Sequence, residues 1–301
     1  MEKKVTLRSK SKIRWKDMSE FILEKIFDKV DTLPPFPKTA QRALELLRED
    51  EVDYKSLEEI VKSDPAIAAN FLKLVNSAAF SLPQKVDSLL KAFMLLGVDQ
   101  IKFILLASVA GKYFSKDLTG YGLSAEDIWL HSIVCGIAAE EIAHELKLSV
   151  EKKESLYIAS ILHDLGKIVL DLYTNLEEKR FHQISEENPE WDFMQIEWLA
   201  LGVDHGMVGG YLLKRWKFPE EIYFAVRAHH DPDLMVQSKV SAIVALSNII
   251  VSLLGITGGV DAFNYKVPEN LLEVSGLDSK TIEKILPRIY RRTLLLGRLF
   301  V

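Results

Sequence analysis

Five of the chain's seven histidines, His131, His163, His205, His229 and His230, recur at intervals that would let a helical fold bring their rings together, and one is followed directly by Asp164. Neutral imidazole is a common metal ligand, and mixed nitrogen and oxygen donors suit iron, manganese or zinc better than a soft-metal site. The stretch Leu162-His163-Asp164-Leu165-Gly166-Lys167 adds a cation, Lys167, which by itself reads as an exposed lysine beyond a helix end. The competing interpretation of His163-Asp164 is a helix-terminal histidine stabilised by a carboxylate and by the negative helix end. Asn248 sits inside the longest apolar run, where an unpaired amide costs about 1 to 3 kcal/mol, so it requires a partner or a metal.

These residues need a scaffold, and the sequence predicts an all-α one. Helical periodicity runs through almost every segment, and no run alternates apolar and polar residues in the manner of a strand. In Phe36 to Arg48, Ala40, Ala43, Leu44 and Leu47 share one stripe, and a further helix follows Ser56. Asp64-Pro65 reads as an N-cap and first helical residue for a helix burying Ile67, Phe71, Leu74 and Val75. Ser81 to Pro83 breaks the chain; Ser88 to Leu96 and Asp99 to Tyr113 are helical again, with Gly97 between them. Gly120 and Gly122 mark Lys112 to Leu123 as a hinge or connector.

Beyond it, Ser124 caps a helix carrying His131, Cys135, Ala138 and Ile142 on one stripe, with His144 off it and facing water. Ser155 to Leu165 is expected as a helix that ends at His163-Asp164 and exposes the pair to a cleft, Gly166 allowing an abrupt change of direction. Asp204 caps a helix that holds His205 in its first turn and runs to Trp216. Another helix opens at Pro219 and closes at His229-His230, with His229 turned inward. Val240 to Leu254 is a core helix with Asn248 in its middle, and a last helix from about Asp278 carries Arg288, Arg291 and Arg292 on its exposed side.

The bulk composition bounds the function. The 301 residues are 48% hydrophobic and 27% charged, as in an ordinary soluble globular protein. A net charge of -5 argues against a nucleic-acid partner, which demands a basic face. The first sixteen residues are the exception, with Lys3, Lys4, Arg8, Lys10, Lys12, Arg14 and Lys16 against Glu2; they read as a solvated arm without the apolar stretch of a secretory signal. The run from Val240 to Ile256 is broken by Ser241, Ser247, Asn248, Ser252 and Gly255 and reads as a buried helix, not a membrane span. The single Cys135 excludes an intrachain disulfide framework, suits a reducing cytoplasm, and is most simply a small buried hydrophobe.

Residues 30 to 255 resemble the HDOD family, a branch of the HD-domain superfamily of metal-dependent phosphohydrolases. The resemblance is carried in the first part by Leu33-Pro34-Pro35-Phe36-Pro37, Ser63-Asp64-Pro65-Ala66, Leu74-Val75-Asn76-Ser77-Ala78 with Phe80, and Leu95-Leu96-Gly97-Val98. In the second part it is carried by Trp129-Leu130-His131-Ser132, His163-Asp164-Leu165-Gly166-Lys167, Asp204-His205 with Gly209, and Trp216 through Pro219 to His229-His230. Asn76, Ser77 and Phe80 nevertheless read as helix termination and packing, with no chemistry. The resemblance implies a basic arm and first helix over 1–29, a helical lobe over 30–114, an HD-like lobe over 124–256 and a helical extension over 257–301.

By position, His131, His163 and Asp164 match metal ligands of the catalytic superfamily, and His205, His229 and His230 match the additional histidines of its two- and three-metal members. Where catalytic relatives supply an aspartate from the last core helix, this chain has Asn248. Neutral histidines with Asp164 supply one formal negative charge, poorly matched to two divalent cations about 3.5 to 4 Å apart, so one metal is expected in preference to two. The glycine- and proline-containing signature of the HD-GYP branch is replaced by Asp231-Pro232-Asp233-Leu234, which sets cyclic di-GMP hydrolysis aside. The resemblance thus implies a bacterial, cytoplasmic signal-transduction module, non-catalytic, holding one divalent or transition metal and acting on a protein partner. The alternative it implies is a metal-dependent phosphohydrolase acting on a nucleotide or phosphoester, with Asp164 and Lys167 as the candidate catalytic groups, the first as a ligand and the second contacting a phosphate oxygen.

Overall fold

The computed structural model describes residues 33–297 apart from 78–79, 81–83, 177 and 257–265, together with residues 26, 28 and 30. The basic arm and the break at Ser81 to Pro83 lie outside the described residues. Within them the chain is all-α, and the one β feature is an isolated bridge between Leu118 and Leu123.

The first five helices described are α1 (Lys38–Leu46), α2 (Tyr54–Lys62), α3 (Pro65–Val75), α4 (Leu89–Leu95) and α5 (Val98–Tyr113). Capping sets their starts: Asp53 accepts from Lys55 N–H, which begins α2 two residues before Ser56, and Asp64 accepts from the Ala66 and Ile67 amides at the head of α3. Asn76 ends α3 and joins it to the next segment, its amide donating to Leu72 O and Val86 O and its carbonyl accepting from Val86 N–H. Helix α5 is buried all round, from Ile101 to Ala110, because it packs on α3 on one side and on the second lobe on the other.

That second lobe contains α6 (Ala125–Glu145), α7 (Val150–Leu162), α8 (Leu165–Leu176), α9 (Glu178–Glu187), α10 (Phe193–Leu201), α11 (His205–Arg215), α12 (Glu220–Ala228), the single turn α13 (Pro232–Met235) and α14 (Lys239–Leu253). A capping box between Ser124 and Asp127 starts α6, as the sequence predicts. Helices α15 (Leu271–Ser275) and α16 (Ser279–Gly297) pack on α14 and α6 respectively. An ion triad ties the lobes: buried Lys102 of α5, 2% exposed, and the exposed Arg48 both bind Glu154 of α7, with Lys102 Nζ 3.2 Å and Arg48 Nε 3.0 Å from its carboxylate. No helix among the described residues is long and apolar enough to cross a membrane.

Several expectations need correction. The segment from Lys112 to Leu123 is a packed connector and not a hinge: after α5 ends at Tyr113, as expected, Gly120 N–H donates to Asp171 of α8 at 2.8 Å, and Tyr121 is fully buried. The second lobe's α7 begins five residues before Ser155 and stops at Leu162, leaving His163 and Asp164 in the turn between two helices. Gly166 is needed for closeness, not for a bend; a Cβ there would lie 1.9 Å from His205 O and 2.8 Å from Gly209 N, so α8 and α11 could not approach. On α16, Arg288 and Arg292 face inward and bind Glu140, Glu141 and Glu145 of α6, while Arg291 stays exposed.

Candidate metal centre

Three helix junctions and two helix faces deliver the predicted residues to one buried point. His131 comes from the inner face of α6, His163 and Asp164 from the α7–α8 turn, His205 from the first residue of α11, His229 and His230 from the end of α12, and Asn248 from the middle of α14. All are buried: Asp164 and His131 are 0% exposed and His230, the most open, 8%. The expected cleft at His163-Asp164 is therefore absent, because α6, α11, α12 and α14 close over the pair. His144 is exposed, as its place off the stripe predicts.

Helix ends fix which nitrogen of each ring points inward. The last carbonyls of a helix lack intrahelical partners, and His163 and His229 each donate Nδ1–H to one of them, Ser160 O at 2.8 Å and Val226 O at 2.6 Å. His131 donates Nδ1–H to Ile256 O at 2.9 Å. A carbonyl oxygen can only accept, so all three rings carry their proton on Nδ1 and turn an Nε2 lone pair into the cluster. His205 does the same through Glu197, whose carboxylate lies 2.8 Å from its Nδ1 and also accepts from its backbone N–H at 2.8 Å.

These lone pairs converge on Asp164. Its Oδ2 is 3.4 Å from His163 Nε2 and 3.7 Å from His131 Nε2; its Oδ1 is 3.5 Å from His205 Nε2 and 3.8 Å from His229 Nε2. His131 Nε2 and His163 Nε2 are only 3.2 Å apart, acceptor facing acceptor. Asp164 Oδ1, His229 Nε2 and Asn248 Oδ1 are buried without a hydrogen-bond partner, and Asn248 Nδ2 reaches only His230 Nε2, at 3.4 Å.

Electrostatics keep the set in ligand form. Burial pushes His131, His163, His229 and His230 below the ordinary imidazole range, so they remain neutral near pH 7. Burial opposes the charge of Asp164, yet the Lys167 ammonium 2.9 Å from its Oδ2 holds it below the usual carboxylate range. Lys167 is itself buried, its Nζ 2.9 Å from Asp164 Oδ2 and 5.8 Å above the Tyr121 ring, and so is not the exposed lysine of the alternative reading.

A donor set of neutral imidazoles around one carboxylate fits a divalent transition metal. Asp164 presents one oxygen to His131 and His163 and the other to His205, His229 and His230, which gives two adjoining positions that share it. Sequence reasoning missed Glu197 and Tyr121. Glu197 is completely buried, accepts from Tyr121 OH as well as from His205, and burial pushes it up to about 8. Were His205 to hold a metal, Glu197 would be the outer group that orients its ring. Its signal was a charged residue on the otherwise apolar stripe of Phe193, Ile196, Ala200 and Leu201.

Beside His230 a pocket of about 190 Å³ opens to solvent, lined in part by Asp204, Met207, Arg227 and Asp231. Asp204 caps α11 by accepting from Met207 N–H, a structural role.

The same architecture occurs in known structures. The chain is 21% identical to an HDOD domain protein from Geobacter sulfurreducens, covering 93% of this chain and 98% of that one, with a TM-score of 0.76. It is 20% identical to a candidate phosphohydrolase from Shewanella amazonensis, covering 92% and 98%, with a TM-score of 0.70. It is 20% identical to a candidate signal transduction protein from Marinobacter aquaeolei, covering 93% and 65%, with a TM-score of 0.69. A Treponema pallidum protein is 23% identical over 208 residues, 68% of this chain but 39% of that relative's length. The HDOD domain model matches residues 33–232, from the Leu33-Pro34-Pro35 entry through the paired histidines, and the chain belongs to the HDOD family.

Proposed function

We propose that this protein is a metal-binding signal-transduction module of the cytoplasm, acting through a protein partner and without hydrolytic turnover. The observation that carries the metal is the convergence of imidazole lone pairs on a buried carboxylate, an electron-rich arrangement that a cation stabilises. When bound, the ion would supply a rigid cross-link between the helix ends of α7, α11 and α12. His131, His163, His205, His229, His230, Asp164 and Asn248 are the residues that would hold it. One carboxylate, with Lys167 already beside it, supports one tightly held ion in preference to two.

Sealing supports the regulatory assignment. A phosphoester must reach the ion, but Asp164, His131, His163, His205 and His229 are all at most 2% exposed, and Lys167 is engaged inside the cluster. A second reading, a phosphohydrolase acting on a nucleotide or phosphoester, draws support from the pocket at His230. There Arg227 borders the cavity with a buried Nη1 that has no acceptor, as a phosphate-binding guanidinium would.

One experiment separates them: elemental analysis of protein purified without chelator, followed by phosphatase and phosphodiesterase assays of the loaded protein. Retained metal without turnover is the expected result. Turnover that disappears in Asp164→Ala would establish the hydrolase instead, and folded protein without metal would overturn the metal-binding assignment.

A further inference from the structure

On the Oδ2 side of Asp164 the donor set contains a sulfur. Cys135 follows His131 by one turn of α6, is 1% exposed, and holds Sγ 3.6 Å from His131 Nε2. The ligand-capable atoms of His131, Cys135 and His163 all lie within 4.8 Å of one another. A tetrahedral ion with bonds of about 2.3 Å to sulfur and about 2.05 Å to nitrogen has ligand-to-ligand edges of about 3.6 Å for sulfur to nitrogen and about 3.3 Å for nitrogen to nitrogen. The observed edges are 3.6 Å from Cys135 Sγ to His131 Nε2 and 3.2 Å from His131 Nε2 to His163 Nε2. Asp164 Oδ2 supplies the fourth corner, 3.4 Å from His163 Nε2 and 3.7 Å from His131 Nε2.

Charge points the same way. Lys167 at 2.9 Å offsets Asp164, so a divalent ion held by imidazoles and Asp164 alone would leave this buried position strongly positive. A thiolate removes one of those charges. We propose that Cys135 is a metal ligand, binding as the thiolate with His131, His163 and Asp164 Oδ2, and that this position selects zinc or iron(II) over manganese. The assignment rests on the metal-binding function above and replaces the expectation of nitrogen and oxygen donors only. On binding, sulfur donates its electron pair to the ion and the thiol proton leaves to solvent. In the metal-free chain burial holds the thiol well above its ordinary range, so Cys135 is inert there. The second position has Asp164 Oδ1 with His205, His229 and His230 but no anion of its own, which makes it the weaker of the two.

Cobalt(II) added to the metal-free 301-residue chain reads the ligand directly, because thiolate ligation gives an intense near-ultraviolet charge-transfer band that imidazole and carboxylate do not. Cys135 is the sole cysteine, so the band has a single source. The expected result is the band at one equivalent in the wild-type chain. It should be lost in Cys135→Ser and Cys135→Ala, with cobalt bound roughly tenfold or more weakly. Zinc should displace the cobalt at lower concentration than manganese. Visible cobalt bands without charge transfer in the wild-type chain would overturn Cys135 ligation and leave the metal site standing. No cobalt bound by the folded wild-type chain would overturn both. The wild-type spectrum decides the matter even where a variant does not fold.

Discussion

Two asparagines, one in each lobe, show how differently the same side chain is used. Asn76 at the end of α3 makes three short hydrogen bonds, 2.8 Å to Leu72 O, 2.7 Å to Val86 O and 2.7 Å from Val86 N–H. Asn248, 2% exposed in α14, has a carbonyl with no partner and an amide 3.4 Å from His230 Nε2. The first is complete within the fold and staples two segments. The second is incomplete within the fold, and Asp164 Oδ1 and His229 Nε2 of the same buried cluster are unpaired as well. A native interior rarely leaves buried polar atoms unpaired, so three around one point mark a place built for something the polypeptide does not itself provide.

The largest predicted effect breaks the second region and spares the first. Chelation of the wild-type protein should lower its stability by about 4 kcal/mol relative to protein in metal at a thousand times the dissociation constant. Asp164→Ala, lacking the carboxylate that both donor groups share, should hold no metal through dialysis and should melt identically with and without chelator. Calorimetry in both conditions checks this; a wild-type melt indifferent to chelator would remove the distinction between the lobes.

Asn76→Ala should come next, at roughly 2 to 3 kcal/mol, because it strands the backbone groups of Val86 as well as deleting three bonds. The cost should be the same with and without metal. A metal-dependent penalty at Asn76 would mean that the lobes are energetically one unit, coupled through α5 and the triad of Lys102, Arg48 and Glu154.

The extent to which each region was legible in the sequence follows from the same contrast. The first lobe announces itself through local signals, such as Asp64-Pro65 at the head of α3 and the stripe of Ala40, Ala43 and Leu44, because the groups that start its helices are capped by residues adjacent in the chain. The histidines were also legible, since their residue type and order carry chemistry. What could not be read was anything decided by approach between distant segments. Gly166 looked like a bend and is a contact; Arg288 and Arg292 looked solvated and are held by glutamates far back on α6. Glu197 and Tyr121 escaped because each becomes functional only when α10 meets the Thr119–Tyr121 turn behind His205. Cys135 was placed on the correct stripe, but only the packed turn reveals that its sulfur faces the rings.

Glu197→Gln tests that outer layer and should rank third. The amide keeps the volume and one oxygen to accept from His205, but it replaces with an N–H donor one of the two oxygens that Tyr121 OH and the His205 backbone N–H also use. Metal affinity at the position formed with His205, His229 and His230 should fall about 10- to 100-fold, with the metal-free melting temperature little changed. Competition against a chromophoric chelator measures the difference. An unchanged affinity would show that Glu197 only packs α10 against α11.

The smallest effect belongs to the residue that opened the comparison. In metal-free protein Asn248→Ala removes an amide whose carbonyl has no partner and whose amino group makes one long contact, so the lost hydrogen bonding should cost less than about 1 kcal/mol, well below Asn76→Ala. Asn248→Asp should do the opposite in metal: it adds a carboxylate beside His230, in the donor group that lacks its own anion, and should raise the number of tightly held ions from one towards two. Without metal the same substitution adds a second buried carboxylate to the cluster and should destabilise the chain. A variant that is weaker without metal and binds more of it identifies the amide as the group that limits occupancy. If Asn248→Asp changes neither, the unpaired carbonyl of Asn248 faces the donors without addressing the ion.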